Sequence, residues 1–468
     1  MLAKTSLLLA TLVASSSGYS AVSCTDTQQD LLHFATTTQA LHPRIASVWP
    51  KFWDETTPFI VYNLDGEAVL FTHNEPLPDY QKLSDHYYYY AERLPNITDF
   101  HFYINYPLPN DQVATAAMLG GVNSDELDAR ETLIHEAFHG YQRSAFADVE
   151  RSQFLDPAQL NEAPTRALLT LQLALAKQAH ASRELEHIHD WLIVRVALNQ
   201  LLAPQVASYL GDIERIEGSA EWVGLQGTYG QDYRAQLSYL FDSLPAEVDI
   251  AAHVRRLAYA TGATLISLMD EFAAPDTDWR HEMEQGKTPY ELALEVFSVA
   301  PDAALEKFNH VLTQYDFSSY LTRAQASQSK AVTLADIKAS HPYRLDIHVP
   351  IQINEETAGF HTHFSAGQAG FHQLSPSVIF LPEAAMFQLD IPQITADIRS
   401  APLLFDISKF RFQVWSHTPI TTLDDLNAMG ELDLKFGESK IYAPINWQVE
   451  SSSTDAHIHI TLSPEVSD

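Results

Sequence analysis

Cysteine is almost missing from this chain: Cys24 is the only one in 468 residues. No disulfide can form within the sequence, so an oxidising compartment adds nothing to its stability. Positive charge is scarce too, with 28 Lys and Arg against 60 Asp and Glu and a formal charge of −32. Such a surface repels phosphate backbones and anionic lipid, which excludes nucleic acid as a partner and suits a well-solvated protein outside the cell. Beyond Ser23 no apolar run is long enough to cross a bilayer. Repeats of fixed period and long low-complexity tracts are absent as well.

What the beginning does carry reads as a signal peptide over residues 1–23. Lys4 supplies the positive end, Leu7 to Val13 the apolar stretch, and small residues follow. Ala21-Val22-Ser23-Cys24 resembles the lipobox of bacterial lipoproteins, in which the cysteine is lipidated. Ala21 stands where leucine is commoner, which leaves ordinary cleavage after Ser23 as the other route. The first route makes Cys24 a lipid anchor at the bacterial cell envelope, and the second yields a secreted or periplasmic protein.

The rest of the chain suggests an α+β protein in three parts. Residues 24–110 read as an N-terminal α+β subdomain, with a helix over 25–42 and two strands about an Asp65-Gly66 turn. Strand candidates follow at Phe100–Asn105 and Val113–Leu119; an edge strand at the second would pair with an extended peptide or simply close the sheet. Residues 111–323 form a mostly helical domain, with helices expected at 163–179, 185–202, 220–226, 233–241, 248–272, 289–299 and 302–314. The polar stretch 324–340 reads as a linker. Over 341–468 the period changes to alternation, as in Lys409–Trp415, Leu432–Phe436 and His457–Leu462, which predicts an antiparallel β-sandwich.

One stretch carries chemistry. Glu131-Thr-Leu-Ile-His135-Glu136-Ala-Phe-His139 contains H-E-x-x-H. Residues four apart lie on one helix face, so His135 and His139 can aim two imidazole nitrogens at one ion, and Glu136 can reach a water there as general base. Asn123-Ser124 is expected to cap this helix, Asp125, Glu126 and Asp128 suit its positive end, and Leu133, Ile134 and Phe138 supply a buried stripe. Among the other histidines, His187, His189, His457 and His459 read as exposed polar positions.

A catalytic zinc takes a third protein ligand and keeps one position open. Asn161-Glu162-Ala163 lies near the interval of compact thermolysin-like enzymes, although Pro164 restricts Glu162 to the first turn of a helix. Ile216-Glu217-Gly218-Ser219-Ala220-Glu221-Trp222 fits E-G-x-A-x-aromatic and resembles the third-ligand helix of the gluzincin metallopeptidases. The favoured ligand is therefore Glu217, with Glu162 as the alternative. Glu221 reads as a solvated helix-face carboxylate, its other option being a bond to a ligand histidine.

The resemblance spans roughly residues 45–300. Val48-Trp-Pro-Lys-Phe52, His139-Gly-Tyr-Gln142, Arg166-Ala-Leu168, Leu257-Ala-Tyr259-Ala-Thr-Gly262 and Trp279-Arg280 look like a group of uncharacterised bacterial gluzincin-like proteins. The resemblance implies a zincin-like catalytic domain and a zinc metallopeptidase of gluzincin type but no particular substrate; with the signal stretch, the expectation is an exported enzyme acting on a peptide or protein. Glu136 would activate the zinc-bound water, and Tyr259 would share the charge on the carbonyl oxygen, with Tyr229 and His253 as weaker choices. Trp222 departs from the usual tyrosine. Ala117-Met118-Leu119-Gly120 weakly resembles the alanyl-aminopeptidase substrate motif but has Leu119 where that motif has an acid. Two other readings stay open: a non-catalytic envelope protein that binds peptides or a partner, and a zinc hydrolase for another amide or ester.

Overall fold

The computed structural model describes residues 26–74, 79–94, 102–108, 112–120, 125–147, 160, 162–244, 253–326, 334–349, 361–366, 372–375, 377–391, 394–443, 447–450 and 453–462. The signal stretch 1–23, Cys24 and the capping pair Asn123-Ser124 lie outside them. No helix among the described residues is long and apolar enough to cross a membrane. Two compact units emerge: one runs to Ala40 and resumes over Glu55–Ala129, the other comprises Leu41–Asp54 and everything from Arg130 onward. Residues 113–118 thus belong with the N-terminal sheet and not with the helices expected over 111–323.

In the first unit, α1 (Asp26–Gln39) lays Leu31, Phe34 and Ala35 against a six-stranded sheet. Its strands are β1 (Phe59–Tyr62), β2 (Ala68–Phe71), β3 (Gln81–Ser84), β4 (Tyr87–Tyr90), β5 (Phe102–Pro107) and β6 (Val113–Met118), in the order β3-β4-β2-β1-β6-β5. β1 and β2 form the hairpin expected about Asp65-Gly66, and every residue of both is buried. β1 pairs with β6 in parallel while the other pairs are antiparallel, so the sheet is mixed. β6 is interior, and the edge beside it is β5.

The second unit begins with α2 (His42–Val48), followed by Trp49, whose indole packs on Phe138 at 5.0 Å and on Trp279 at 5.8 Å. Its central helix is α3 (Glu126–Ala145), which extends back across the unit boundary. The Asp125 carboxylate caps α3 by accepting from the N–H groups of Leu127 and Asp128 at 2.8 and 3.0 Å. Leu133, Ile134 and Phe138 are fully buried, as the apolar stripe requires.

After α3 come α4 (Ala163–Ser182), α5 (Leu185–Leu201), α6 (Pro204–Ile213), α7 (Ser219–Tyr229), α8 (Tyr233–Asp242), α9 (Val254–Phe272), α10 (Trp279–Glu284), α11 (Pro289–Val296), α12 (Pro301–Gln314), α13 (Phe317–Ala326) and α14 (Leu334–Ser340). Prolines open α6, α11 and α12, where a missing N–H costs nothing. The expected linker 324–340 is helical at both ends: Ala324 packs with Ala163 and Ala167, and Ile337 packs on Phe380 and Trp415.

The C-terminal strands are β7 (Tyr343–His348), β8 (His361–Ala366), β9 (His372–Ser375), β10 (Val378–Ile391), β11 (Ile394–Ile398), β12 (Ala401–Asp406), β13 (Arg411–Ser416), β14 (Leu432–Phe436), β15 (Ser439–Ala443), β16 (Trp447–Val449) and β17 (His457–Leu462), with α15 (Leu423–Ala428) before β14. They form one hydrogen-bonded sheet of 11 strands, antiparallel except for the parallel pair β7 and β17. The 14-residue β10 pairs with β9 and β12 along its first part and with β8 and β11 along its second. Leu432 and Leu434 from one end of the sheet share a core with Ile458 and Ile460 from the other, so the sheet folds over on itself. On its other face Asp346 is buried against Arg411, Gln413 and His459, which corrects the expectation that His459 is merely an exposed position.

Candidate metal centre

α3 supplies the first half of the site. His135 and His139, one turn apart, bring their Nε2 atoms to 3.1 Å. The second half comes from a local irregularity: between α6 and α7 the chain widens into a π-turn, Glu214–Gly218. Such a turn inserts a residue into a helix and re-aims the side chains beyond it, and it is frequent at functional sites.

Two features hold it there. Glu214 is buried, with Arg195 donating to its oxygens at 2.7 and 3.0 Å and the Thr261 hydroxyl at 2.7 Å. Gly218 lies against Gly262 of α9 with no room for a side chain on either.

From this turn Glu217 reaches α3. Its Oε2 lies 3.2 Å from His139 Nε2 and 3.7 Å from His135 Nε2, while its Oε1 accepts from the Arg255 guanidinium. Donors on a tetrahedral zinc, with bonds of about 2.0–2.1 Å, stand about 3.3 Å apart. The three spacings of 3.1, 3.2 and 3.7 Å therefore fit one face of such a site.

The remote ring nitrogens are also held. The Gln142 amide nitrogen donates to Ile216 O at 2.8 Å and Ser219 Oγ at 2.9 Å, which turns the amide oxygen to His139 Nδ1 at 2.7 Å. An oxygen at Nδ1 requires the proton there and leaves the Nε2 lone pair for a metal. His135 Nδ1 faces Glu221 Oε2 at 3.4 Å, and Glu221 is mostly buried, so it is not the solvated carboxylate its sequence suggests.

Electrostatics follow from this packing. Burial pushes the Glu217 carboxyl up, but hydrogen bonds from His135 and His139 and the Arg255 charge outweigh it and hold the group well below the usual carboxylate range. Burial works against a charged His135, yet its bonds to Glu217 and Glu221 carry the imidazole well above its ordinary value. Burial raises the Glu136 carboxyl, tempered by the two imidazoles. Tyr259 lies with its ring nearly parallel to that of His135, at 5.9 Å, and burial with the Glu217 charge keeps its phenol protonated.

The sequence-derived residues thus divide. His135, Glu136, His139, Glu217 and Tyr259 come together. Glu162 does not join them: it is the exposed residue preceding α4. Tyr229 ends α7 and His253 precedes α9. Gln142 and Arg255 had no role assigned from sequence. Gln142 stands three residues after His139, on the same helix face, the one signal that marked it.

No family model, no curated protein and no solved structure matches this chain. His135, Glu136 and His139 form a cluster that could hold a metal ion.

Proposed function

We propose that this protein is an exported zinc metallopeptidase of gluzincin type, with Cys24 as its lipid anchor. The observation that carries the reading is the reach of Glu217 Oε2 to both imidazole Nε2 atoms, with Glu136 on the same helical turn. Two neutral imidazoles and one carboxylate form a donor set typical of catalytic zinc, held by His135, His139 and Glu217. Zinc, when bound, supplies a Lewis acid that polarises a carbonyl and lowers the pKa of water to about 7.

The protein's own groups do the rest. Glu136 accepts the proton of the attacking water, helped by a burial that makes its carboxylate more basic than usual, and passes it to the leaving amine. The Tyr259 phenol, protonated throughout, donates to the oxygen on which charge develops. Gln142 and Glu221 keep both ligand rings in the required tautomer.

Metal analysis and peptide cleavage by the parent and the Glu136→Gln variant test the reading. Near-stoichiometric zinc in both, with cleavage in the parent alone, is the expected outcome. Native protein that holds no zinc, or a variant that cleaves as fast as the parent, sinks it.

A further inference from the structure

Glu217 divides its two oxygens between different partners. Oε2 faces the two imidazoles, and Oε1 is taken by the guanidinium of Arg255 from α9. Accepting the metal centre proposed above, the geometry points to Arg255 as a positioning residue that makes Glu217 a one-oxygen ligand and so keeps a coordination position free.

A carboxylate can grip a cation through one oxygen or through both. Nothing about a glutamate alone selects the first mode. A guanidinium in contact with Oε1 does, because it competes for the lone pairs of that oxygen and places a positive charge where a second bond to the ion would form.

Arg255 is built to stay there. Its guanidinium carbon lies 5.9 Å from the centre of the Tyr259 ring, and its charge interacts with the phenols of both Tyr209 and Tyr259. Its side chain keeps 46% of its surface exposed while that of Glu217 keeps 10%, so the cation approaches from the solvent side and leaves the inner oxygen to the histidines.

Arg255 lies one turn before Tyr259 on α9. One helix face thus carries both the residue that restrains the ligand and the phenol that meets the substrate. A merely structural ion pair, latching α9 to the π-turn, would make a different prediction: its loss would loosen the fold without altering the coordination of a bound ion.

Cobalt(II) in place of zinc separates the two, since visible absorption per cobalt weakens as coordination number rises. Affinity is read by competition with a chromophoric chelator, absorption by titration of the metal-free full-length protein, and folding by circular dichroism. Arg255→Met is expected to show a weaker visible band per cobalt, with metal affinity no lower than the parent's, as Glu217 turns both oxygens to the ion. Arg255→Lys, which keeps the charge, should recover most of the band. Arg255→Gln serves if the methionine variant does not fold, with the same weakening of the band per cobalt. Parent-like absorption per cobalt in either folded neutral variant overturns the assignment while leaving the metal centre intact. A parent protein that binds neither zinc nor cobalt overturns both.

Discussion

Gly218 of the π-turn and Gly262 of α9 meet backbone to backbone. A Cβ on Gly218 would fall 2.6 Å from the Gly262 Cα, and a Cβ on Gly262 would fall 2.6 Å from the Glu214 carbonyl oxygen. Both distances are far inside van der Waals contact, and backbone cannot step aside as a side-chain tip can. Gly262→Ala should therefore cost about 1–3 kcal/mol of stability. It should also move Glu217 off the histidines, so metal affinity falls with the thermal midpoint. Parent-like affinity in that variant would separate the crossing from the site.

Gln142 is fully buried and makes three hydrogen bonds, one to His139 within α3, one to Ile216 O of the π-turn and one to Ser219 Oγ at the start of α7. Gln142→Leu keeps the volume but leaves His139 Nδ1, Ile216 O and Ser219 Oγ without this partner. Metal affinity should fall about 10–100-fold. Chelator competition measures it, and Gln142→Glu, which retains an oxygen for Nδ1, should lose less.

Glu217→Ala and Glu162→Ala decide the third ligand. The first should lower zinc affinity by about 100-fold or more, and the second should change it by less than about twofold, because Glu162 is exposed beside α4. A reversed order in chelator competition would return the compact spacing to favour.

His180 of α4 predicts a pH effect on stability. Its Nε2 lies between Arg234 O at 3.1 Å and Ser238 Oγ at 2.9 Å, and burial with the Arg183 and Arg234 charges pushes the imidazole down to about 4 from 6.5. The unfolded chain takes up this proton near pH 6.5, and the folded chain only near pH 4. The contribution is complete above about pH 6.5 and is lost progressively as pH falls toward about 4. The unfolding free energy from urea titrations should drop between about pH 7 and pH 4.5 by about 2 kcal/mol more in the parent than in His180→Asn. Equal slopes would contradict the assignment.

Legibility in the sequence tracks the range of each interaction. H-E-x-x-H and the stripe of Leu133, Ile134 and Phe138 are local patterns, and they place α3 and its histidines correctly. Asp125 reads from the sequence as a first-turn acid and caps α3 instead, since an acid at a helix start suits either role and only backbone geometry separates them. The hairpin about Gly66 is plain, but β3 and β4 are not: Gln81–Ser84 is nearly all polar and Tyr87–Tyr90 is uniform, so neither alternates. Gly211 disguises α6 by resembling a breaker, whereas it lets that helix run against Thr288. Arg255 is unreadable because its partner Glu217 is 38 residues away, and Asp346 meets His459 only across a parallel strand pair. The π-turn departs by one residue from the 3.6 period on which helix reading depends, so no periodic pattern announces it.

The division of the donors between α3 and the π-turn has a mechanical side. An ion held by His139 and Glu217 closes a long loop of a chain whose single cysteine can form no sulfur bridge within it. Closing a loop of that length removes freedom from the unfolded ensemble much as a covalent tie would. If the proposed ion sits there, chelators should speed limited proteolysis of the segment between the two donors.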